Sequence, residues 1–171
     1  MNILKYKSPF GILTIQENGG KISQIYLPNA EPIIESPLSF LNKPPSTAYA
    51  LDTPFQKGAL ESAAAQFTEY FEGNRKVFDL PLSFDGCTDF MKSVYQELLI
   101  IPYGETVSYK YIAEKINCPK AYRAVGLANN KNPLPVIIPC HRVIGSDGKL
   151  VGYAGGIDMK SSLLEFERNN K

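Results

Sequence analysis

The chain has 171 residues, 44% of them hydrophobic, and a formal net charge of +1, which allows one domain or two small ones around a proper core. No basic-then-apolar leader opens it and no run approaches the ~20 apolar residues of a membrane span, so it reads as a soluble protein of the cytoplasm without a membrane partner. Cys87, Cys118 and Cys140 are an odd set, far apart, with His141 the only histidine, a composition that argues against a disulfide framework and against a zinc site.

Asn2 to Lys7, Gly11 to Glu17 and Lys21 to Leu27 are short and rich in β-branched and aromatic residues, and Asn18-Gly19-Gly20 supplies a hairpin turn between the last two. A small antiparallel sheet is expected. From Pro28 to Pro54 six prolines interrupt any period, so this stretch reads as loop. Thr53-Pro54-Phe55-Gln56 has the form of a capping box, and Phe55, Leu60, Ala63, Ala64, Phe67, Tyr70 and Phe71 make a helical stripe that stops at Gly73-Asn74. That helix should cover the sheet, with one more strand over Val77 to Leu82.

The second half reads as mostly helical. Phe90, Val94, Leu98 and Ile101 mark a helix ending at Pro102-Tyr103-Gly104, and Ser108 can cap another carrying Tyr109, Ile112, Ala113 and Ile116. Asn117-Cys118-Pro119 makes a break before a helix over Lys120 to Asn130, with Ala124, Val125 and Ala128 inward. Two short helices joined by a tight turn form a helix-turn-helix. A strand, Val136-Ile137-Ile138, is expected to lead into Cys140, followed by a glycine-rich loop and a last helix from Asp158 to Arg168 with Met159, Leu163 and Phe166 inward. The expected class is therefore α+β: residues 1–86 as a small N-terminal sheet with a covering helix, and residues 87–171 as a mostly helical domain containing the helix-turn-helix.

Charge follows the same division. Residues 1–91 carry 7 Lys/Arg against 10 Asp/Glu, whereas residues 92–171 carry 11 against 7. Lys110, Lys115, Lys120, Arg123 and Lys131 face only one acid, Glu114, across the helix pair. Such a surface suits an anionic partner such as nucleic acid.

The chemistry centres on Cys140-His141-Arg142. A free thiol with a pKa near 8.5 is only about 3% thiolate at pH 7, so a nucleophilic cysteine needs a base or a positive neighbour. His141 is adjacent, yet neighbours in an extended segment point to opposite faces, and contact would need a bridging water or a turn. A histidine base also needs a group to fix its tautomer, for which Glu167 on the last helix is a candidate. Cys87 and Cys118 read as small buried hydrophobes.

From Pro102-Tyr103-Gly104-Glu105 to Glu167 the chain resembles the O6-alkylguanine-DNA alkyltransferases. The resemblance rests on Val107-Ser108-Tyr109, Arg123-Ala124-Val125-Gly126, Asn132-Pro133, Pro139-Cys140-His141-Arg142-Val143, Gly152-Tyr153 with Gly155-Gly156, and Leu163-Leu164 with Glu167. It implies direct-reversal repair in which Cys140 takes the alkyl group irreversibly, once per chain. It further implies that His141 is the base through a water, Glu167 its orienting partner, and Asn132 a hinge between the helix-turn-helix and the active-site segment.

Tyr109 would assist departure of guanine, the carbonyls of Cys140 and Val143 would read its exocyclic amine, the Ala154 N–H would face its oxygen, and Tyr153 would wall the alkyl pocket. Arg123 would fill the stack behind a flipped base, with Tyr109, Lys110, Tyr122 and Ser146 also at the DNA. Ala154 and Tyr122 stand where relatives often carry serine and a small residue, which bears on specificity. The implied partner is double-stranded DNA carrying O6-alkylguanine, with no cofactor, no obligate protein partner and a monomeric chain. Two rivals are a non-catalytic alkyltransferase-like lesion binder, which Cys140 argues against, and a cysteine hydrolase, which would leave the basic helix pair unexplained.

Overall fold

The computed structural model describes residues 1–28 and 58–171. β1 (Asn2–Ser8), β2 (Gly11–Asn18) and β3 (Lys21–Tyr26) form an antiparallel sheet in that order. Gly19 and Gly20 have φ of +58° and +79° between paired Asn18 and Lys21, the combination that a two-residue hairpin turn matching the strand twist requires. Along β2, Leu13, Thr14, Ile15 and Gln16 are buried in succession, so both faces of the sheet are covered.

One cover is α1 (Ala59–Phe71). Its Phe67 and Phe71 rings lie 5.7 and 6.3 Å from the Tyr6 ring, and each buried aromatic of this size contributes about 1.5–3 kcal/mol. The expected capping box at Thr53 to Gln56 lies outside the described residues; within them Gly58 stands at the N-cap without a side-chain bond. At the sheet's other edge, the Ile25 N–H donates to the Pro133 carbonyl at 2.8 Å. The sheet thereby braces the segment that leads to Cys140.

No strand forms over Val77 to Leu82. A single bridge joins Leu82 to Ile22, with Ile22 N–H donating to the Pro81 carbonyl and Ser83 N–H to the Ile22 carbonyl. Pro81 has no N–H with which to extend a ladder.

The C-terminal half contains α2 (Asp89–Leu99), α3 (Tyr109–Lys115) and α4 (Tyr122–Asn130). Ser108 caps α3 by accepting from Tyr111 N–H at 3.0 Å. The turn of the helix-turn-helix closes at Asn117, whose φ is +58°, with Cys118 N–H reaching back to the Ala113 carbonyl at 2.9 Å, a helix C-terminus that asparagine tolerates better than most residues. From α2, the Tyr95 hydroxyl donates to the Ala128 carbonyl on α4 at 3.0 Å. Val125 and Ala128 face inward, but Ala124 is exposed, because a nine-residue helix packed on one side has room for only one narrow buried stripe. Cys118 is likewise exposed, at the turn, and Cys87 is half-buried.

Two short strands, β4 (Val107–Ser108) and β5 (Val143–Ile144), pair in parallel with Val107 opposite Val143. This pairing sets the start of α3 beside the residue that follows Cys140-His141-Arg142. The expected strand through Val136 to Ile138 is instead a compact loop. Pro135 and Pro139 remove two ladder donors, Val136 has a φ of +74°, and Ile138 N–H turns back to the Leu134 carbonyl at 2.8 Å. Cys140–Arg142 then form one turn of 3-10 helix. On α5 (Ile157–Asn169) the inward face holds Lys160, Leu163, Leu164 and Glu167, with Met159 and Phe166 partly covered. No helix among the described residues is long and apolar enough to cross a membrane.

Candidate active site

Cys140 is almost fully buried at 5% exposure. Asn132 fixes its surroundings: the side-chain nitrogen lies 2.8 Å from the Ile138 carbonyl and 3.1 Å from Cys140 Sγ, while its oxygen accepts from Leu134 N–H at 3.0 Å. One amide thus satisfies backbone groups that a strand would have paired. Burial pushes the Cys140 thiol up, against the Asn132 hydrogen bond and the Lys160 charge that draw it down. The resting group is a thiol that needs a base at the moment of reaction.

The 3-10 turn resolves the side-by-side problem of Cys140 and His141. His141 is fully buried, and its Nε2 lies 2.8 Å from Glu167 Oε1. An ionised carboxylate can only accept, so the imidazole carries its proton on Nε2, and Nδ1 holds the lone pair. Nδ1 makes no hydrogen bond to any described protein group. Burial lowers the His141 pKa, partly countered by Glu167; the imidazole is neutral near pH 7 and able to take a proton.

Glu167 is the most heavily bonded side chain of the site. Arg142 grips it with Nε at 2.9 Å and Nη2 at 2.8 Å, Gly104 N–H reaches Oε2 at 3.0 Å, and the Tyr70 hydroxyl reaches Oε1 at 2.7 Å. Burial pushes this carboxyl up, but the bonds and charges of His141 and Arg142 outweigh it and hold it well below the usual carboxylate range. It therefore orients the imidazole as a permanent anion. Gly104, at φ +72°, is the required residue there: a Cβ would stand 3.2 Å from the Glu167 backbone oxygen. Arg142 completes its coordination on the Ile101 carbonyl at 2.7 Å and lies 5.5 Å from the centre of the Tyr103 ring.

Lys160 is fully buried on α5. Its ammonium donates to the carbonyls of Val143 at 2.6 Å and Val151 at 2.9 Å, and sits 3.5 Å from the Tyr109 hydroxyl. Tyr109 in turn donates to the Val151 carbonyl at 3.0 Å. Burial raises the Tyr109 pKa, with Cys140 adding to it, so the phenol is a donor. The Tyr153 ring stands edge-on to His141 at 6.5 Å.

Tyr109, Lys110, Tyr122, Arg123 and Ser146 line one cleft of about 540 Å³ between α4 and the loop at Gly145 to Gly152. Cys140, Val143 and Tyr153 do not line it, and Ala154 is exposed. The Val143 carbonyl already serves Lys160 and the Cys140 carbonyl already accepts from Val143 N–H, leaving each one lone pair for a further donor. Arg123 lies over the Tyr122 ring at 5.8 Å.

Tyr70 and Lys160 were not singled out for the site from the sequence, and Arg142 and Gly104, visible there within motifs, were given no part in holding Glu167. Lys160 had a readable signal, since positions 160, 163, 164 and 167 follow the i, i+3, i+4, i+7 pattern of a buried face. Tyr70 had none beyond its place in an aromatic stripe.

Fold and site together define a protein with a cysteine nucleophile, a histidine–carboxylate pair and a basic helix-turn-helix. Family profiles agree in detail: residues 89–169 match the 6-O-methylguanine DNA methyltransferase DNA-binding domain, and residues 3–84 match the ribonuclease-like domain of the same proteins. A methylated-DNA–protein-cysteine methyltransferase of Mycobacterium bovis is 43% identical over 162 residues, covering 95% of this chain and 89% of its own length. The protein of that name in Methanosarcina barkeri is 60% identical over 114 residues, or 67% of this chain and 72% of its own. Among solved structures, that of Mycobacterium tuberculosis OGT in complex with DNA superposes with a TM-score of 0.76 at 40% identity, covering 97% of this chain and 92% of that one. The chain belongs to the 6-O-methylguanine DNA methyltransferase family.

Proposed function

We propose that this chain repairs double-stranded DNA by direct reversal, taking the alkyl group of O6-alkylguanine onto Cys140 in a single irreversible turnover. The observation that carries the reading is the arrangement of a buried thiol, held by Asn132, beside a fully buried His141 whose tautomer is set by Glu167. The thiol proton passes to His141 Nδ1 through a bridging water, and Glu167 stabilises the imidazolium. Cys140 Sγ then attacks the alkyl carbon as its bond to O6 breaks. The departing guanine anion accepts a proton from Tyr109, whose hydroxyl leaves the Val151 carbonyl while Lys160 keeps that carbonyl satisfied, and the phenolate regains a proton as the His141 imidazolium releases the one taken from the thiol. A C–O bond is exchanged for a C–S bond, which needs neither metal nor cofactor.

In-line attack requires the base to leave the stack. The cleft walled by Tyr109, Lys110, Tyr122, Arg123 and Ser146 offers cationic and aromatic groups for the backbone and for the gap in the duplex. Tyr153 and the Ala154 N–H are assigned to the alkyl and O6 side, and the Cys140 and Val143 carbonyls to the exocyclic amine. Every reacting group comes from one chain, so the proposed working form is a monomer without an obligate partner, acting in the cytoplasm. Residues 1–86 and 87–171 are its two proposed domains.

Intact mass after incubation with duplex DNA containing O6-methylguanine tests the reading. The expected result is one methyl group gained per chain, located on Cys140 and lost in Cys140→Ala. A protein that binds the lesion but stays unmodified would establish the lesion-binding alternative instead.

A further inference from the structure

The Tyr70 hydroxyl lies 2.7 Å from Glu167 Oε1, across a sequence separation of 97 residues. Its place is fixed without reference to Glu167. Tyr70 is fully buried on α1, with ring centroids of Phe71, Phe78, Tyr103 and Phe166 at 5.0, 5.3, 5.8 and 5.8 Å. The oxygen it reaches is the same one that holds His141 Nε2 at 2.8 Å and Arg142 Nη2 at 2.8 Å. A carboxylate oxygen that receives three donors has its charge divided among them.

Resting on the alkyl-transfer reading, we propose that Tyr70 is a positioning residue of the reaction, supplied by the N-terminal half. By donating to Glu167 Oε1 it limits how strongly that oxygen holds the imidazolium and so sets the proton affinity of His141. The groups facing His141 and Glu167 are Tyr70 from α1, Tyr103 and Gly104 after α2, Cys140 and Arg142 beside the imidazole, Tyr153 before α5, and Lys160 on α5. Of these, Tyr70 and His141 share Oε1 as uncharged donors, and His141 is the imidazole base whose pKa burial lowers from its ordinary value.

His141 is the only histidine of the chain, so its imidazole can be followed by NMR without ambiguity. Tyr70→Phe keeps the ring and removes the donor. The expected result is a rise of about one pH unit in the His141 midpoint, a tenfold gain in proton affinity. Alkyl transfer below the parental midpoint should slow by about the same factor, with DNA affinity unchanged. In a Glu167→Gln background the Tyr70 substitution should shift the midpoint no further. An unchanged or lowered midpoint in Tyr70→Phe overturns the proposal. The parent protein gives a second measurement that does not depend on a variant folding: the slowly exchanging Tyr70 hydroxyl proton should titrate with the imidazole, and a resonance indifferent to it also overturns the proposal. If the parent takes up no alkyl group, the repair reading fails, while the titrations still decide the role of Tyr70.

Discussion

Asn132 and Cys140 are joined directly, the amide nitrogen standing 3.1 Å from the sulfur while it also holds the Ile138 carbonyl at 2.8 Å. The same side chain therefore shapes the loop and touches the nucleophile. Asn132→Ala strips the partner from the Leu134 N–H and one of two donors from the Ile138 carbonyl, which keeps the Cys140 N–H at 2.8 Å. A loss of about 2 kcal/mol in urea unfolding is expected, chiefly from the one buried donor left unmade. Asn132→Asp keeps the acceptor for Leu134 but sets a negative charge beside the sulfur, which disfavours the thiolate. Single-turnover alkyl transfer should then fall by about tenfold or more while the variant remains folded.

Lys160 gathers the carbonyls of Val143 and Val151 and lies beside the Tyr109 hydroxyl. Lys160→Met preserves much of the packing and removes the charge. The loop before α5 loses its anchor, and Tyr109 is left with the Val151 carbonyl as a competitor for its proton. Reaction with alkylated duplex should slow by about a hundredfold, measured against a DNA affinity that stays near the parental value. A rate equal to the parent's would separate Lys160 from the chemistry.

Acid should weaken the fold in two steps of the same sign. Burial lowers the folded pKa of His141 below its ordinary 6.5, so below that pH the unfolded chain binds a proton that the native chain refuses. Glu167, whose folded pKa is also depressed from 4.5, contributes stability that is present above that value and lost as pH falls further. Each proton taken up on unfolding steepens the fall by about 1.4 kcal/mol per pH unit. Denaturant titrations between pH 7 and 5 should show the first step in the parent and not in His141→Gln.

Arg123 is exposed at the cleft, stacked over Tyr122. If it fills the gap left by a flipped base, Arg123→Ala should impair repair of duplex DNA by about tenfold, yet leave the reaction with free O6-alkylguanine nearly intact, since a free base has no stack to refill. Equal losses on both substrates would count against that role.

Local signals in the sequence carried much of this molecule. The glycine pair between β2 and β3, the Ser108 cap and the break at Asn117 all act over a few residues, and each lies where its chemistry pointed. Val136 to Ile138 misled because a β-branched run suggests a strand, whereas flanking prolines and the Asn132 amide bend it into a loop. Tyr70, Arg142 and Glu167 illustrate the other boundary. Their bonds join α1, the 3-10 turn and α5, and no spacing along the chain records which buried donors converge on one carboxylate. The proximity of Cys140 and His141 in sequence was visible; the 3-10 turn that aims His141 at Glu167 on α5 while Asn132 holds the Cys140 sulfur was not.

The thiol assigned to the reaction is 5% exposed, whereas Cys118 at the helix-turn-helix is open to solvent. In a protein consumed by its own reaction, every stray encounter with an oxidant or a soluble electrophile would waste a molecule. Concealment of Cys140, with its proton kept on the sulfur until a base is seated, lowers the chance that such an encounter consumes the chain.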